Sequence, residues 1–450
     1  MKRETWKSQF GFVFAAIGSA VGLANIWRFP YLVGKNGGAA FVFLYLMCLL
    51  VIGLPTFLAE VTLGRKAKRN PAGTFRKIGG KGWGWMGAIM VLTALIVSSF
   101  YSVVAGWILG YCVQGFKGVL HTFETIEQPV HLFQNLTSSA SWSLSYHFIF
   151  LLLCVLFLMG GVRKGIERGS VILMPLLFVI LCFLVIKGLF LPNSEKGLDF
   201  LFSPDWSVIT PSVFLLALGQ AFFTLSIGQG TMITYGSYLS QKSHLPKSSF
   251  PIILGDTLVS LLGAIAIFTI AFSVNIEPTS GEGLLFQTLP VVFSQLPGGY
   301  FLAVGFFVLV FLAAITSEIS ALEVVISYLI DEWKFKRKAA VLLSALVAFA
   351  LGVPSALAFG SLGDISIFGY NLLGCADYLA TNILIPLGGL FAVLLFAWKW
   401  GVPKALSHMR LGAEGLFDRH RWFRFYLIVS IKFIAPLIII LIFLQAIGVF

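Results

Sequence analysis

Two stretches of the sequence put backbone oxygen where an apolar helix would otherwise hide it. Gly18–Asn25 reads GSAVGLAN and Gly219–Gly230 reads GQAFFTLSIGQG, each in the middle of a long apolar segment. Glycine costs a helix about 1 kcal/mol relative to alanine. Unwound backbone at membrane depth survives only where it is buried in protein or lines a cavity. There, freed carbonyls can hold a cation, and half-helix N-termini can hold a carboxylate. Alternatively, such glycines only let helices pack closely. Side-chain oxygens add to this set. Asp256 sits in LGDTLVSLLG, and a carboxylate so deep in an apolar run is a functional candidate by default. Glu60, Glu318 and Glu323 are unusual for the same reason, and Glu318 suits either a transported proton or a partner on a neighbouring helix. The Thr316-Ser317 pair can ligate a cation or bond back to its own helix.

The elements that must position these groups are membrane spans. Hydrophobic residues make up 58% of the 450-residue chain and charged residues 11%, against roughly 25% charged in a soluble domain. A polytopic membrane protein follows. A spanning helix needs about 20 mostly apolar residues. Eleven segments qualify, centred near Ala20, Val51, Ser102, Leu153, Val179, Leu225, Leu262, Phe311, Leu346, Pro386 and Ile438. The N-terminus reads as the first span, not as a removed signal.

The net charge of +12 does not point to nucleic acid, because the basic residues lie in short loops between the spans. Most of them fall on one side, in the N-terminus (Lys2, Arg3, Lys7) and the even-numbered loops, such as Arg65–Lys81 and Lys334–Lys338. The positive-inside rule then places the N-terminus in the cytoplasm and the C-terminus outside, periplasmic or extracellular. The five cysteines form no CxxC pair, so neither a metal site nor a disulfide framework is read. The six histidines read as lying in loops or at span ends. No HExxH or GxSxG is present, and an enzyme is not expected. A channel would show no uphill accumulation, and a sensor would need an output domain.

The breaks fall in spans one and six, as two five-span repeats would place them. Paired interruptions of this kind point to a transporter binding site. SAVGLANIWRFPY, GQAFFTLSIGQG, LAAITSEIS and DYLATNILIPLGGL closely resemble the neurotransmitter:sodium symporter family, from Arg3 to about Gly389. The resemblance is to its bacterial eleven-helix, leucine-transporter-like branch. It implies an all-α polytopic protein with a 5+5 inverted repeat and broken helices 1 and 6. Residues 1–450 would form one transport domain, with repeat one over about 10–191, repeat two over about 211–398 and an additional helix over about 424–447.

The site residues follow from the resemblance, and their chemistry agrees with it. Sodium takes a shell of hard oxygen ligands. A first sodium site would use Ala20, Asn25, Thr224 and Asp256, plus the substrate carboxylate. A second would use Gly18, Val21, Ala313, Thr316 and Ser317. Asp256 would stand in for chloride, making transport chloride-independent. Amine transporters of the family carry an Asp where this chain has Gly22, so the substrate should bring its own carboxylate, as an α-amino acid does. Tyr101 would bond that carboxylate and stack with Phe223 as a lid. Ala20, Ala24, Val97, Thr224, Ser226, Gln229, Ser317 and Ala321 would complete the pocket. A neutral L-amino acid, hydrophobic or bulky, is the expected substrate; a polar one such as glutamine, or a non-transporting sensor of the same fold, stays open. Arg28 and Asp377 match the outer gate, with Gln220 beside the Arg. Arg3 and Asp331 match the inner gate, with Trp6 capping the cytoplasmic path. Gly165 and Pro175 match a Gly-x9-Pro hinge, or Gly169 simply starts a helix. The expected setting is a bacterial inner membrane, and the expected state a monomer or weak dimer.

Overall fold

Long apolar runs can satisfy their backbone groups in a bilayer only as helices, and the chain is built almost wholly from them. The computed structural model describes residues 3–125, 127–274 and 283–446. Lys2 and position 447, the last of the expected additional helix, lie outside them. Among the described residues nine helices are long and apolar enough to cross a membrane: Ala39–Ala67, Lys81–Phe116, Ala140–Met159, Val162–Leu189, Leu245–Phe272, Gly299–Glu332, Arg337–Ala356, Leu372–Lys399 and Arg421–Leu444. These are the second to fifth and seventh to eleventh spans. The first is a pair, Gln9–Ala20 and Ala24–Lys35, bent by 52°. The sixth is two short helices, Pro211–Thr224 and Thr231–Ser237, separated by non-helical backbone.

Connections carry their own elements. Glu127–Ser138 links the third and fourth spans, and Ser194–Phe202 links the fifth and sixth. A two-stranded antiparallel hairpin pairs Ser366 with Asn371 and Ile367 with Tyr370 before the tenth span. The first span packs against the fifth, seventh and eighth, and the eighth lies along the third. Ile172, Leu176, Val179, Phe183 and Ile186 of the fifth span are exposed at helical spacing, a stripe suited to lipid.

One histidine departs from expectation. His147 lies inside the fourth span, fully buried, with Nε2 2.9 Å from Ser102 Oγ and its ring stacked on Phe349. The span begins earlier than its hydropathy suggests, because the polar start ASWSLSY is already helical. The buried ring bridges the third, fourth and ninth spans.

Candidate functional site

The first break is a three-residue affair. The helix Gln9–Ala20 ends at Val21, whose backbone is extended, and winding resumes at Ala24. Gly22 stands in the gap. A Cβ there would lie 3.0 Å from Tyr101 Oη and 3.1 Å from Ser317 Oγ. The sixth-span break runs through Ser226, Gly228 and Gly230, with φ of 52°, 87° and 80°. A left-handed backbone is cheap for glycine and costly for serine. Ser226 holds it with a hydrogen bond, its hydroxyl donating to the Ser19 carbonyl at 2.9 Å. Ser317 donates to the same carbonyl at 3.0 Å. Ser19 thus ties both breaks to the eighth span. Glu60 accepts the Gly228 N–H at 2.8 Å and anchors the second break to the second span.

Between the breaks lies a small cavity. Nine of the ten expected pocket residues line it: Ala20, Ala24, Val97, Tyr101, Phe223, Ser226, Gln229, Ser317 and Ala321. Thr224 is the exception, its hydroxyl turned toward Asp256. Gly22, Leu23, Glu318 and Ile385 line the cavity as well. Tyr101 Oη accepts the Leu23 N–H at 3.3 Å.

Beside the cavity, oxygens gather around Asn25. Its Nδ2 lies 2.7 Å from Asp256 Oδ1, 2.9 Å from Thr224 Oγ1 and 2.8 Å from Ser260 Oγ. Thr224 also donates to Asp256 Oδ1 at 2.8 Å. Two amide protons cannot serve all these acceptors at once. A fully buried cluster so rich in oxygen is a setting that suits a hard cation. The Asp256 side chain is turned to this cluster from the seventh span. The other expected set is less complete. A Cβ on Gly18 would lie 3.2 Å from the Thr316 Cβ, so the two helices do meet there. Thr316 bonds back to Leu312 and Ala313 carbonyls at 3.0 and 3.1 Å, as the simpler reading of that pair has it. Ser317 faces Ser19.

The two ends of the path differ. At one end, Arg28 and Asp377 line a vestibule that also reaches Tyr101 and Phe223. No ion pair within 4 Å joins Arg28 to Asp377 among the described residues; the guanidinium sits 5.4 Å over the Phe223 ring. Gln220 donates to the Ala24 carbonyl at 3.0 Å rather than partnering Arg28. Tyr101 and Phe223 form no ring stack among the described residues. An open vestibule separates these pairs.

At the other end, the path is shut by packed side chains. Arg3 pairs with Asp331, donates to Ser237 Oγ at 2.6 Å and lies over the Tyr238 ring. Trp6 Nε1 donates to the Tyr235 carbonyl at 3.0 Å and packs against Phe12, Tyr235 and Tyr238. Glu323 takes two hydrogen bonds from Arg337 and one from Tyr238. Burial and the nearby charges of Arg65 and Arg3 push the Lys68 ammonium down to about 8.

Two carboxylates absent from the expected list lock this end. Glu167 accepts the Lys7 N–H at 2.7 Å and the Ser8 N–H at 3.2 Å, capping the start of the first span. Glu4 accepts the Val162 N–H at 2.6 Å, capping the start of the fifth. Each helix start is satisfied by the other's acid. Gly165 lies in the wide turn Val162–Glu167, and Pro175 lies inside the helix Arg168–Leu189 that continues it.

Known proteins agree with this architecture. The model of the Sodium:neurotransmitter symporter family matches residues 3–130 and 125–450. The chain belongs to that family. This family member is 38% identical over 450 residues to the sodium-dependent transporter YhdH of Bacillus subtilis, covering 100% of this chain and 98% of the relative. It is 35% identical over 457 residues to a sodium-dependent transporter of Haemophilus influenzae, covering 99% and 98%. The crystal structure of MhsT in complex with L-phenylalanine superposes with a TM-score of 0.90 at 40% identity, covering 99% of this chain and 100% of that one. The symporter is therefore a multi-pass membrane protein of the leucine-transporter-like fold, sodium-coupled, and a transporter rather than an enzyme.

Proposed function

We propose that the protein imports neutral L-amino acids, hydrophobic or bulky, together with sodium and without chloride. The observation that carries this reading is the Asn25–Thr224–Asp256 cluster next to a cavity whose wall has Gly22 in place of a charged side chain. The substrate carboxylate would complete a sodium shell with Ala20, Asn25, Thr224 and Asp256. A second sodium would bind at Gly18, Val21, Ala313, Thr316 and Ser317. The L-phenylalanine bound to MhsT supports an amino-acid substrate. The fixed acid at Asp256 does the work of an added anion.

Sodium and substrate share a ligand, so each favours binding of the other. With sodium high outside, the open vestibule fills. Tyr101 closes on Phe223 and Arg28 on Asp377. The Arg3–Asp331 pair and the Trp6 plug then release, and Gly165 and Pro175 give the fifth span a place to unwind. The first, second, sixth and seventh spans move against the rest. The setting is a bacterial inner membrane, N-terminus in the cytoplasm and C-terminus outside, with the protein a monomer or weak dimer.

A second reading, a polar neutral substrate such as glutamine, is favoured by Gln229 and Glu318 on the cavity wall. Uptake into proteoliposomes tests the function. An inward sodium gradient in gluconate medium should drive uphill accumulation of an amino acid. Accumulation in potassium, or only with chloride, would contradict the proposal. Binding without any accumulation would leave a sensor.

A further inference from the structure

We propose that Glu318 determines the specificity of the central cavity by selecting amino acids whose side chain ends in an N–H donor. This rests on the amino-acid symport reading and, within it, sides with a polar-ended side chain over a purely hydrophobic one. Glu318 lines the cavity and is 1% exposed, yet neither carboxyl oxygen has a hydrogen-bond partner among the described residues. The Ser98 hydroxyl lies against it without completing a bond of ordinary geometry. No described lysine or arginine forms an ion pair with it. Gln229, on the sixth span, brings a second buried acceptor to the same cavity, its Oε1 also without a partner. The surrounding wall includes Val97, Ala321 and Ile385, which offer no side-chain donor.

Buried acceptors are costly to leave unpaired, and a carboxyl is the costliest. Glu318 belongs to neither gate and to neither proposed sodium shell, although Ser317 beside it is part of the second. In the proposed pose, Tyr101 and the backbone around Ala20–Ala24 and Ser226 take the substrate's carboxylate and α-amino groups. The side chain must therefore meet Glu318 and Gln229. An apolar side chain would leave both acceptors stranded. One that ends in an amide, indole, imidazole or cationic nitrogen would satisfy them. A site built around a donor rejects the analogue lacking it far more strongly than a greasy pocket rejects an extra methylene. A neutral donor pairs with the carboxyl in either protonation state, whereas a cation requires it ionised.

The test uses the purified full-length chain and sodium-dependent binding of size-matched pairs: L-glutamine against L-methionine, L-asparagine against L-leucine, and L-lysine against L-norleucine. In at least one pair the donor-bearing member should bind about tenfold tighter or better. Glu318→Ser should bring that ratio close to one while sodium dependence remains. Glu318→Gln, nearly the same shape, should keep a preference among the neutral pairs and lose one in the lysine pair, which separates the neutral from the cationic form of the donor. Tighter binding of the apolar member in every pair, or a ratio that survives Glu318→Ser, overturns the proposal alone. Absence of sodium-dependent binding by any amino acid overturns the symport reading and this proposal with it.

Discussion

Asn25 of the first span and Asp256 of the seventh meet at 2.7 Å, amide donating to carboxyl, at the point where the first helix has just resumed after its break. The contact couples an unwound segment to a helix that runs unbroken from Leu245 to Phe272. A negative group at that junction can hold sodium, orient Asn25, and replace an external anion in one position.

Asp256→Asn keeps a hydrogen-bond partner for Asn25 and Thr224 but removes the charge. Substrate affinity in chloride-free sodium medium should fall by at least about tenfold, the scale of one lost charged contact. Added chloride should restore part of it. Calorimetric titration with and without chloride reads both effects, and unchanged affinity would mean the charge is not used.

Gly22→Ala adds one methyl within 3.0 Å of Tyr101 Oη and 3.1 Å of Ser317 Oγ. The position is in a break, so helix propensity does not rescue it. Amino-acid affinity should drop by roughly tenfold through steric overlap, with little change in melting temperature. A uniform loss of stability instead would place the effect in folding rather than in the pocket.

Asp331→Asn removes the charge that faces Arg3 and weakens an acceptor that also takes the Asn70 N–H at 2.7 Å. The pair is only partly exposed, so it should be worth more than a surface pair of about 0–1 kcal/mol. Amide hydrogen exchange across residues 4–12 should speed up several-fold. No change there would mean that the Trp6 plug alone keeps the path shut.

Glu167→Ala strands the Lys7 and Ser8 amides at the start of the first span. Loss of a helix cap costs about 0.5–2 kcal/mol. Exchange at these two amides, and at Val162 through its partner Glu4, should rise together, because the caps are mutual. A rise confined to the first span would show that the two helix starts open independently.

The spans were legible because about 20 apolar residues leave a bilayer helix little alternative. The breaks were legible because glycines cluster where helices should be strongest. The sixth break even shows its cause, with Gly228 and Gly230 taking left-handed backbone. Nine of the residues expected around the pocket, from the two breaks and from spans three and eight, line the cavity. Contacts between distant segments were not legible. Glu4 and Glu167 look like ordinary loop and span-end charges until the fold brings their two helix starts together. Ser19 is one among many small polar residues, and only the packing of spans one, six and eight gives it partners. His147 was misplaced because hydropathy locates a span's centre better than its start. The expected Arg28–Gln220 partnership and the Tyr101–Phe223 stack are not formed across the open vestibule.

The central claim is that sodium and substrate complete one shell. Its most direct test is the affinity of an L-amino acid measured across sodium concentrations in chloride-free buffer, paired with sodium affinity measured at saturating amino acid. The account predicts that each raises the other's affinity by the same factor, and that the corresponding decarboxylated amine gains nothing from sodium. Equal amino-acid affinity in sodium and potassium would contradict it.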